Sequence, residues 1–459
     1  MRKQKKTPRL SPAPPGPAKG PGIQSRALAE RLRKVETSNI TWLGDEFPVF
    51  WERGEGLYVY DVDGQDYLDM TAAFGVTALG HVPKSSQKAI SDQSQRLIHG
   101  MGDVHPPAIK VELLERLAEI APVDNPRITL GTGGSMATEI ALKSVRLSTG
   151  KPGVLAFEGA YHGLTLGALG VVGHERFLSP FAGLAPPGFP RLPFPEINAE
   201  DCDPALVKAL SDEVFEHAER IIETHKDEIG GIIIEPIQGR GGIRVAVPGF
   251  LTKLHAFCQH HNLLLICDEI FTGFYRTGPR FACDLENVRP DILLLGKALG
   301  GGMPIGACIG RQEIMDSFGP STGEAIHTET FLGHPVVMAT ALSTLQTLES
   351  ADRSGQIKDR GQELRRILWA TLGQFPERFQ PVHGRGLMLG IACCHKGKPD
   401  PALCKSMVGA ALKSGIILLG GGIHGHVLQF TPAISIGSDE IVEVGKRLSE
   451  TLARVFGRI

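Results

Sequence analysis

The chain has 459 residues, 42% hydrophobic and 21% charged, with a formal net charge of −2. Those values describe a globular chain with a large core and two or more domains, and the near-neutral balance offers no basic surface to nucleic acid. No apolar run approaches the roughly 20 residues needed to cross a bilayer, so the expected partners are small molecules.

From the N-terminus, residues 1–22 (MRKQKKTPRLSPAPPGPAKGPG) are basic and proline-rich without an acidic residue, which predicts a disordered arm. The arm lacks the apolar stretch of a signal peptide and its prolines disfavour an amphipathic transit helix, so a solvated tail is expected. RALAERLRKVE is helical in pattern, and GLYVYDVDGQDYLDM alternates apolar and polar residues around a turn at Asp63-Gly64. Residues 23–82 are thus expected to open a small domain.

Between residues 83 and 346, short apolar runs (RITL, GVLAF, GGIIIEP, NLLLICDE, DILLL, ACIG) alternate with helical patterns. This predicts an α/β large domain with a mostly parallel sheet covered by helices on both faces. The remainder, 347–459, reads as the C-terminal part of a small α+β domain, with helical patterns at GQELRRILWATL and SDEIVEVGKRLSETLARVF and a strand at GLMLGIACC that would turn Cys393 and Cys394 to opposite faces. The eight cysteines (Cys202, Cys258, Cys267, Cys283, Cys308, Cys393, Cys394 and Cys404) show no CxxC spacing. Neither a metal site nor a disulfide framework is expected, and a reducing cytoplasm suits them.

In open α/β sheets ligands bind beyond the carboxyl ends of the strands, which makes the residues after each apolar run the ones to inspect. RITL leads into GTGGSMATEIALKSVRL, where Gly134 and Ser135 open a helix whose free N–H groups can cradle a phosphate. The same stretch also reads as a dinucleotide fingerprint with Glu158 as the ribose acid, and a nucleophilic lysine downstream separates the two readings. FEGAYHG sets Tyr161 and His162 in a glycine-flanked loop, where an aromatic ring can lie over a flat heterocycle. GGIIIEPIQG delivers Glu235 and Gln238 to the same edge.

Two residues stand out. Lys297 follows DILLL at the lip of the core, where desolvation favours the neutral, nucleophilic amine that a Schiff base needs. Asp268 ends the apolar run NLLLICD, a costly place for a carboxylate unless a cation or good donors meet it. A protonated pyridine nitrogen is such a cation. With the phosphate cradle, the aromatic ring and the amine, the constellation describes a pyridoxal 5'-phosphate site.

DEIFTGFYRTG followed by RPDILLLGKALGGGMPIGA resembles the signature of the class III aminotransferases, the ornithine and 4-aminobutyrate aminotransferase group with fold type I. DVDGQDYLDM, LGH, GAYHGLTLGAL, EPIQG, HTETFLGHP and GRGLMLGI extend the resemblance over nearly the whole chain after the arm. It implies that Lys297 carries the Schiff base and shuttles a proton, and that Asp268 keeps the pyridine nitrogen protonated. It further implies that Gly134 and Ser135 bind the phosphate and that Tyr161 and Ile270 cover the two ring faces. Thr330 is implied to reach the phosphate of a neighbouring subunit, which makes a homodimer with shared active sites.

The resemblance breaks in three places. Met136 stands where many members have glutamate, Phe271 where a glutamine is frequent, and Gln429 where an arginine usually grips the substrate carboxylate. Glutamine lacks that charged, bidentate grip. Glu235, which gates that arginine in the family, is therefore expected to be free for a substrate amine or hydroxyl. Arg240 in QGRGG is either another anchor or an exposed loop arginine. The implied reaction moves an amino group from a primary amine or amino acid to a keto acid or aldehyde. The same scaffold also resembles racemases, aminomutases and amino-phosphate lyases.

Overall fold

The computed structural model describes residues 18–41, 43–44, 47–185, 188–197, 203–350 and 353–457. Cys202 and positions 1–17 of the basic arm lie outside the described residues. Lys19, within the stretch expected to be a solvated arm, is tied down: its Nζ pairs with Asp66 at 2.7 Å and its N–H donates to Lys413 O at 2.9 Å.

The centre is a six-stranded sheet in the order Pro126–Gly131, Gly306–Arg311, Ile292–Leu295, Leu264–Asp268, Ile229–Ile234, Gly153–Leu155. Gly306–Arg311 runs antiparallel to both its neighbours, and the other pairings are parallel. The strands are buried on both faces, as continuous runs such as IGGIII and ILLL require. Alternation divides them between two cores. Ile233, Ile266 and Leu294 point to the side of Ala137, Ile140, Ala141 and Val145 on the helix Gly134–Thr149, whereas Ile232, Leu265 and Leu293 point to the larger core beyond.

The N-terminal strands Trp51–Glu55, Tyr58–Asp61 and Asp66–Asp69 form an antiparallel sheet, with the expected turn at Asp63-Gly64. Gly64 has φ +83°, and the buried Asp61 Oδ1 accepts from the N–H groups of Asp63 (3.0 Å) and Gln65 (2.8 Å). Ile416–Ile417 adds to this sheet in parallel, joining the two ends of the sequence. A second sheet, ordered His383–Arg385, Met388–Ala392, Val427–Phe430, Leu419–Gly421, packs among the helices Arg353–Leu372, Pro401–Lys413 and Ser438–Phe456. Past Ala392 the extended chain goes on, with Cys393 bridging Phe379 and Cys394 pairing with Pro399, and both cysteines are buried.

Arg276 ties this C-terminal sheet to the central one. Fully buried, it donates through Nη1 to Leu387 O at 3.2 Å and to Pro432 O, and burial pulls its pKa down to about 10. The segment after Asp268 is thereby locked to the strand that carries Gln429.

Candidate active site

The parallel pairing of Leu264–Asp268 with Ile292–Leu295 sets Asp268 opposite Leu294, so the chain leaves the sheet for Lys297 beside the carboxylate. Lys297 itself has φ +38°, a left-handed conformation that costs an ordinary residue about 1–2 kcal/mol. Such a cost at a strand end points to function.

Asp268 is buried and held from two directions: Ile270 N–H donates to Oδ1 at 3.0 Å, and His162 Nδ1 lies 2.7 Å from Oδ2. A carboxylate only accepts, so Nδ1 carries the proton in this pair. Thr138 Oγ1 donates to His162 O at 2.8 Å and fixes the loop that bears the imidazole, whose Nε2 is buried without a partner. The Lys297 amine makes no hydrogen bond or ion pair among the described residues and stands 4.5 Å from the Phe271 ring centroid. Burial lowers its pKa, against the raising influence of Asp268 and Glu235, which moves it towards the nucleophilic form.

Four consecutive left-handed residues, Ala72, Ala73, Phe74 and Gly75 (φ +45°, +46°, +63° and +80°), close the pocket over the lysine. At Gly75 a Cβ would stand 2.5 Å from the Phe271 ring and 3.6 Å from Lys297 Cδ, so only glycine fits. Asp69 holds this strained run. Its Oδ1 accepts from Thr71 N–H (2.8 Å) and Thr71 Oγ1 (2.6 Å), and its Oδ2 accepts from Ala73 N–H (3.1 Å) and faces His81 Nε2 (3.0 Å). DYLDM and LGH were legible only as family-like words; the buried Asp69–His81 pair behind them depends on a contact that no spacing rule reveals. Glu269 acts likewise on the other side, accepting from Thr272 Oγ1, Ala282 N–H (2.9 Å) and Cys283 N–H (2.7 Å) to shape the loop after Asp268.

The residues fit pyridoxal phosphate. The 16-residue helix Gly134–Thr149 begins at Gly133 with no side-chain cap, leaving the N–H groups of Gly134 and Ser135 for a phosphate. A Cβ on Gly163 would stand 2.6 Å from Ser135 Cβ, and one on Gly134 would stand 2.9 Å from Ile270 Cδ1, so the loop of His162 and Ile270 both pack closely on this helix start. Tyr161 lies in the loop beside His162, on the opposite side of Asp268 from Ile270 in sequence, with its N–H bonded to Glu235 Oε1 at 2.9 Å. Thr330 is exposed, on a loop pinned to its own chain by Glu329 on Thr132 N–H (2.7 Å) and by Thr328 on Asp103 (2.7 Å).

This geometry corrects the reading of Glu235 as free and shows what Gln238 and Gln429 hold within the fold. Glu235 is not free: it is buried, and Oε1 and Oε2 each accept a main-chain N–H, from Tyr161 and from Gly239 (2.9 Å). Gln238 is equally engaged, donating to Glu158 O at 2.9 Å and accepting from Arg244 Nη1 at 3.0 Å. Gln429 donates through Nε2 to Gly239 O at 2.8 Å, so it braces the turn that holds Glu235. His162 braces Asp268 through Nδ1. Arg240 is exposed, with its guanidinium 5.8 Å from the Tyr161 ring centroid.

The chain is similar to known proteins over nearly its whole length. The family model described as aminotransferase class-III matches residues 43–452. The chain is 32% identical over 457 residues to the alanine/serine racemase of Pyrococcus horikoshii, covering 95% of this chain and 91% of that protein. It is 33% identical over 412 residues to the acetylornithine aminotransferase of Methanopyrus kandleri, covering 88% and 95%. Among solved structures, the omega transaminase of Pseudomonas jessenii in complex with PMP superposes with a TM-score of 0.84 at 26% identity, over 94% of this chain and 99% of that one.

The buried Glu235 has a measurable consequence. Burial, ahead of a lowering influence from His162 and a raising one from Asp268, pushes its carboxyl from 4.5 up to about 7. The folded state then binds a proton that the unfolded chain has lost, so this group weakens folding as pH rises from about 4.5 to about 7. In the cofactor-free protein, Glu235→Gln should flatten that part of the stability profile in thermal melts; a slope equal to that of the unmodified chain would contradict the burial.

Proposed function

We propose, for a chain that belongs to the class-III aminotransferase family, that Lys297 and Asp268 form the reacting centre of a pyridoxal phosphate-dependent aminotransferase. The enzyme moves an amino group from an amine donor to a keto acid acceptor. The observation that carries this reading is the partnerless Lys297 amine beside an Asp268 carboxylate clamped by His162 and the Ile270 N–H. Fold type I and the cofactor are those of the family.

When bound, pyridoxal phosphate supplies a carbonyl carbon for amines and a protonated ring that draws the electron pair left on the α-carbon. Asp268 would hold a proton on the ring nitrogen, and His162, donating from Nδ1 to Oδ2, keeps that carboxylate aimed. Lys297 Nζ, kept towards the neutral form by burial, is the base that takes and returns a proton at the substrate α-carbon. Gly134 and Ser135 would hold the phosphate through main-chain N–H groups, while Ile270 and Tyr161 would exclude water from the ring. The Ala72–Gly75 run and Phe271 close the lysine side of the pocket.

A division into a small domain from 23–82 and 347–459 around a large one from 83–346 is supported by Ile416–Ile417 joining the N-terminal sheet. The exposed Thr330 and its exposed neighbour Phe331 support a homodimer in which Thr330 meets the partner's phosphate. The seven described cysteines are all free and buried, which supports a cytoplasmic location; no helix among the described residues is long and apolar enough to cross a membrane. Racemisation is the second reading, favoured by Gln429 at the expected carboxylate arginine and by the Pyrococcus horikoshii racemase relative.

Single amines added to the cofactor-loaded protein without any keto acid distinguish the two. Transamination predicts one keto product per cofactor and accumulation of pyridoxamine phosphate; exchange of the α-hydrogen with solvent deuterium and no keto product would contradict it. Asp268→Asn should retain part of the cofactor yet slow this half-reaction by orders of magnitude, and near-normal rates would overturn its role. Thr330→Ala should raise the dissociation constant for the cofactor only in the dimer, as read by absorbance after gel filtration. Equal retention by mutant and unmutated dimers would remove Thr330 from the site.

A further inference from the structure

The main-chain cradle at Gly134 and Ser135 is entered through Gly131, Thr132 and Gly133, and a side chain from a distant segment grips that entrance. Glu329 Oε2 accepts from Thr132 N–H at 2.7 Å and Oε1 accepts from Thr132 Oγ1 at 2.9 Å, across 197 residues of sequence. Glu329 is half-buried and has no ion pair among the described residues, so the two donors of one threonine are its hydrogen-bond partners. A Cβ on Gly131 would stand 2.8 Å from Met136 Cγ and 3.3 Å from Glu329 Oε2. The carboxylate therefore lies beside Met136, the position where many members of the family have glutamate; here the acid comes from another segment.

The loop around Glu329 is arranged for this grip. From 326 to 330 exposure alternates, with Ile326, Thr328 and Thr330 exposed and His327 and Glu329 half-buried. His327 Nδ1 lies 2.8 Å from Lys143 Nζ on the helix Gly134–Thr149, so both inward residues hold the element that opens with the cradle.

Main-chain N–H groups bind an anion tightly when the turn that presents them is fixed beforehand. This helix has no capping side chain to fix it, and three glycines within four residues give the turn little stiffness of its own. Thr132 stands immediately before the cap residue Gly133. A carboxylate on Thr132 restrains the turn from outside, while neither of its oxygens takes the N–H of Gly134 or Ser135. The positive end of the helix dipole favours an acid there.

We propose that Glu329 is a positioning residue for the cofactor phosphate, acting through Thr132 to hold the cradle of its own chain in the shape that binds. The proposal rests on the reading of Lys297 as the lysine that joins the cofactor and of Gly134 and Ser135 as the phosphate cradle.

Titration of the cofactor-free protein with pyridoxal phosphate and, separately, with pyridoxal, which lacks the phosphate, tests it through the visible absorbance of the bound ligand. Glu329→Ala should raise the dissociation constant of pyridoxal phosphate about tenfold or more, the size expected for loss of charge-assisted bonds, and leave that of pyridoxal unchanged. Glu329→Gln, whose amide can accept from Thr132 N–H and donate to Oγ1, should recover most of the affinity. Thr132→Val should weaken pyridoxal phosphate alone but add little to Glu329→Ala, because the two side chains act as one unit. Unchanged or tighter binding of pyridoxal phosphate by Glu329→Ala, an equal loss for pyridoxal, no recovery with glutamine, or fully additive losses would each overturn the proposal. Absence of the absorbance band with both ligands in the unmutated protein would instead overturn the reading of Lys297 on which the proposal stands.

Discussion

A carboxylate at the end of a fully apolar strand is the constraint around which the molecule is arranged. Burying an unpaired carboxylate costs several kcal/mol, so Asp268 persists only because the Ile270 N–H and His162 meet it inside the fold. Those partners come from elements far apart in sequence. His162 is delivered by the loop after Gly153–Leu155 and held by Thr138 from the helix Gly134–Thr149, and Ile270 is fixed by the loop that Glu269 organises. The helix, the sheet and that loop must all be in place before the carboxylate is satisfied.

Strain on the opposite wall follows the same logic. A left-handed run of three non-glycine residues costs about 1–2 kcal/mol for each of them, and the offset is the set of bonds that Asp69 makes to Thr71, Ala73 and His81. The run closes over Phe271 and the Lys297 side chain, and the amine has no hydrogen-bond acceptor among the described residues. A depressed lysine pKa results from what surrounds the amine and from what is withheld from it. Arg276 adds rigidity, locking the loop after Asp268 to the strand flank that bears Gln429.

Much of this was legible in the sequence because charge after an apolar run is conspicuous. Lys297 and Asp268 stood out on that ground, the parallel sheet followed from alternating runs and helices, and the Asp63-Gly64 turn followed from its dipeptide. Other residues were invisible or misread for one physical reason: their partners are main-chain groups brought from elsewhere. Glu235 read as a free carboxylate because the N–H groups of Tyr161 and Gly239 have no signature in sequence. The backbone partners of the Gln238 and Gln429 amides were equally invisible. The bracing roles of Asp69, Glu269 and Arg276 needed the fold, and so did the grip of Glu329 on Thr132.

The chemistry therefore concentrates on one nitrogen, and its identity can be read directly. Borohydride reduction of the protein loaded with pyridoxal phosphate, followed by digestion and peptide mass measurement, fixes the cofactor to whichever lysine it had joined. The geometry predicts the added pyridoxyl phosphate mass on the peptide containing Lys297 and on no other. Its appearance on a different lysine, or its absence from the Lys297 peptide, would contradict the site.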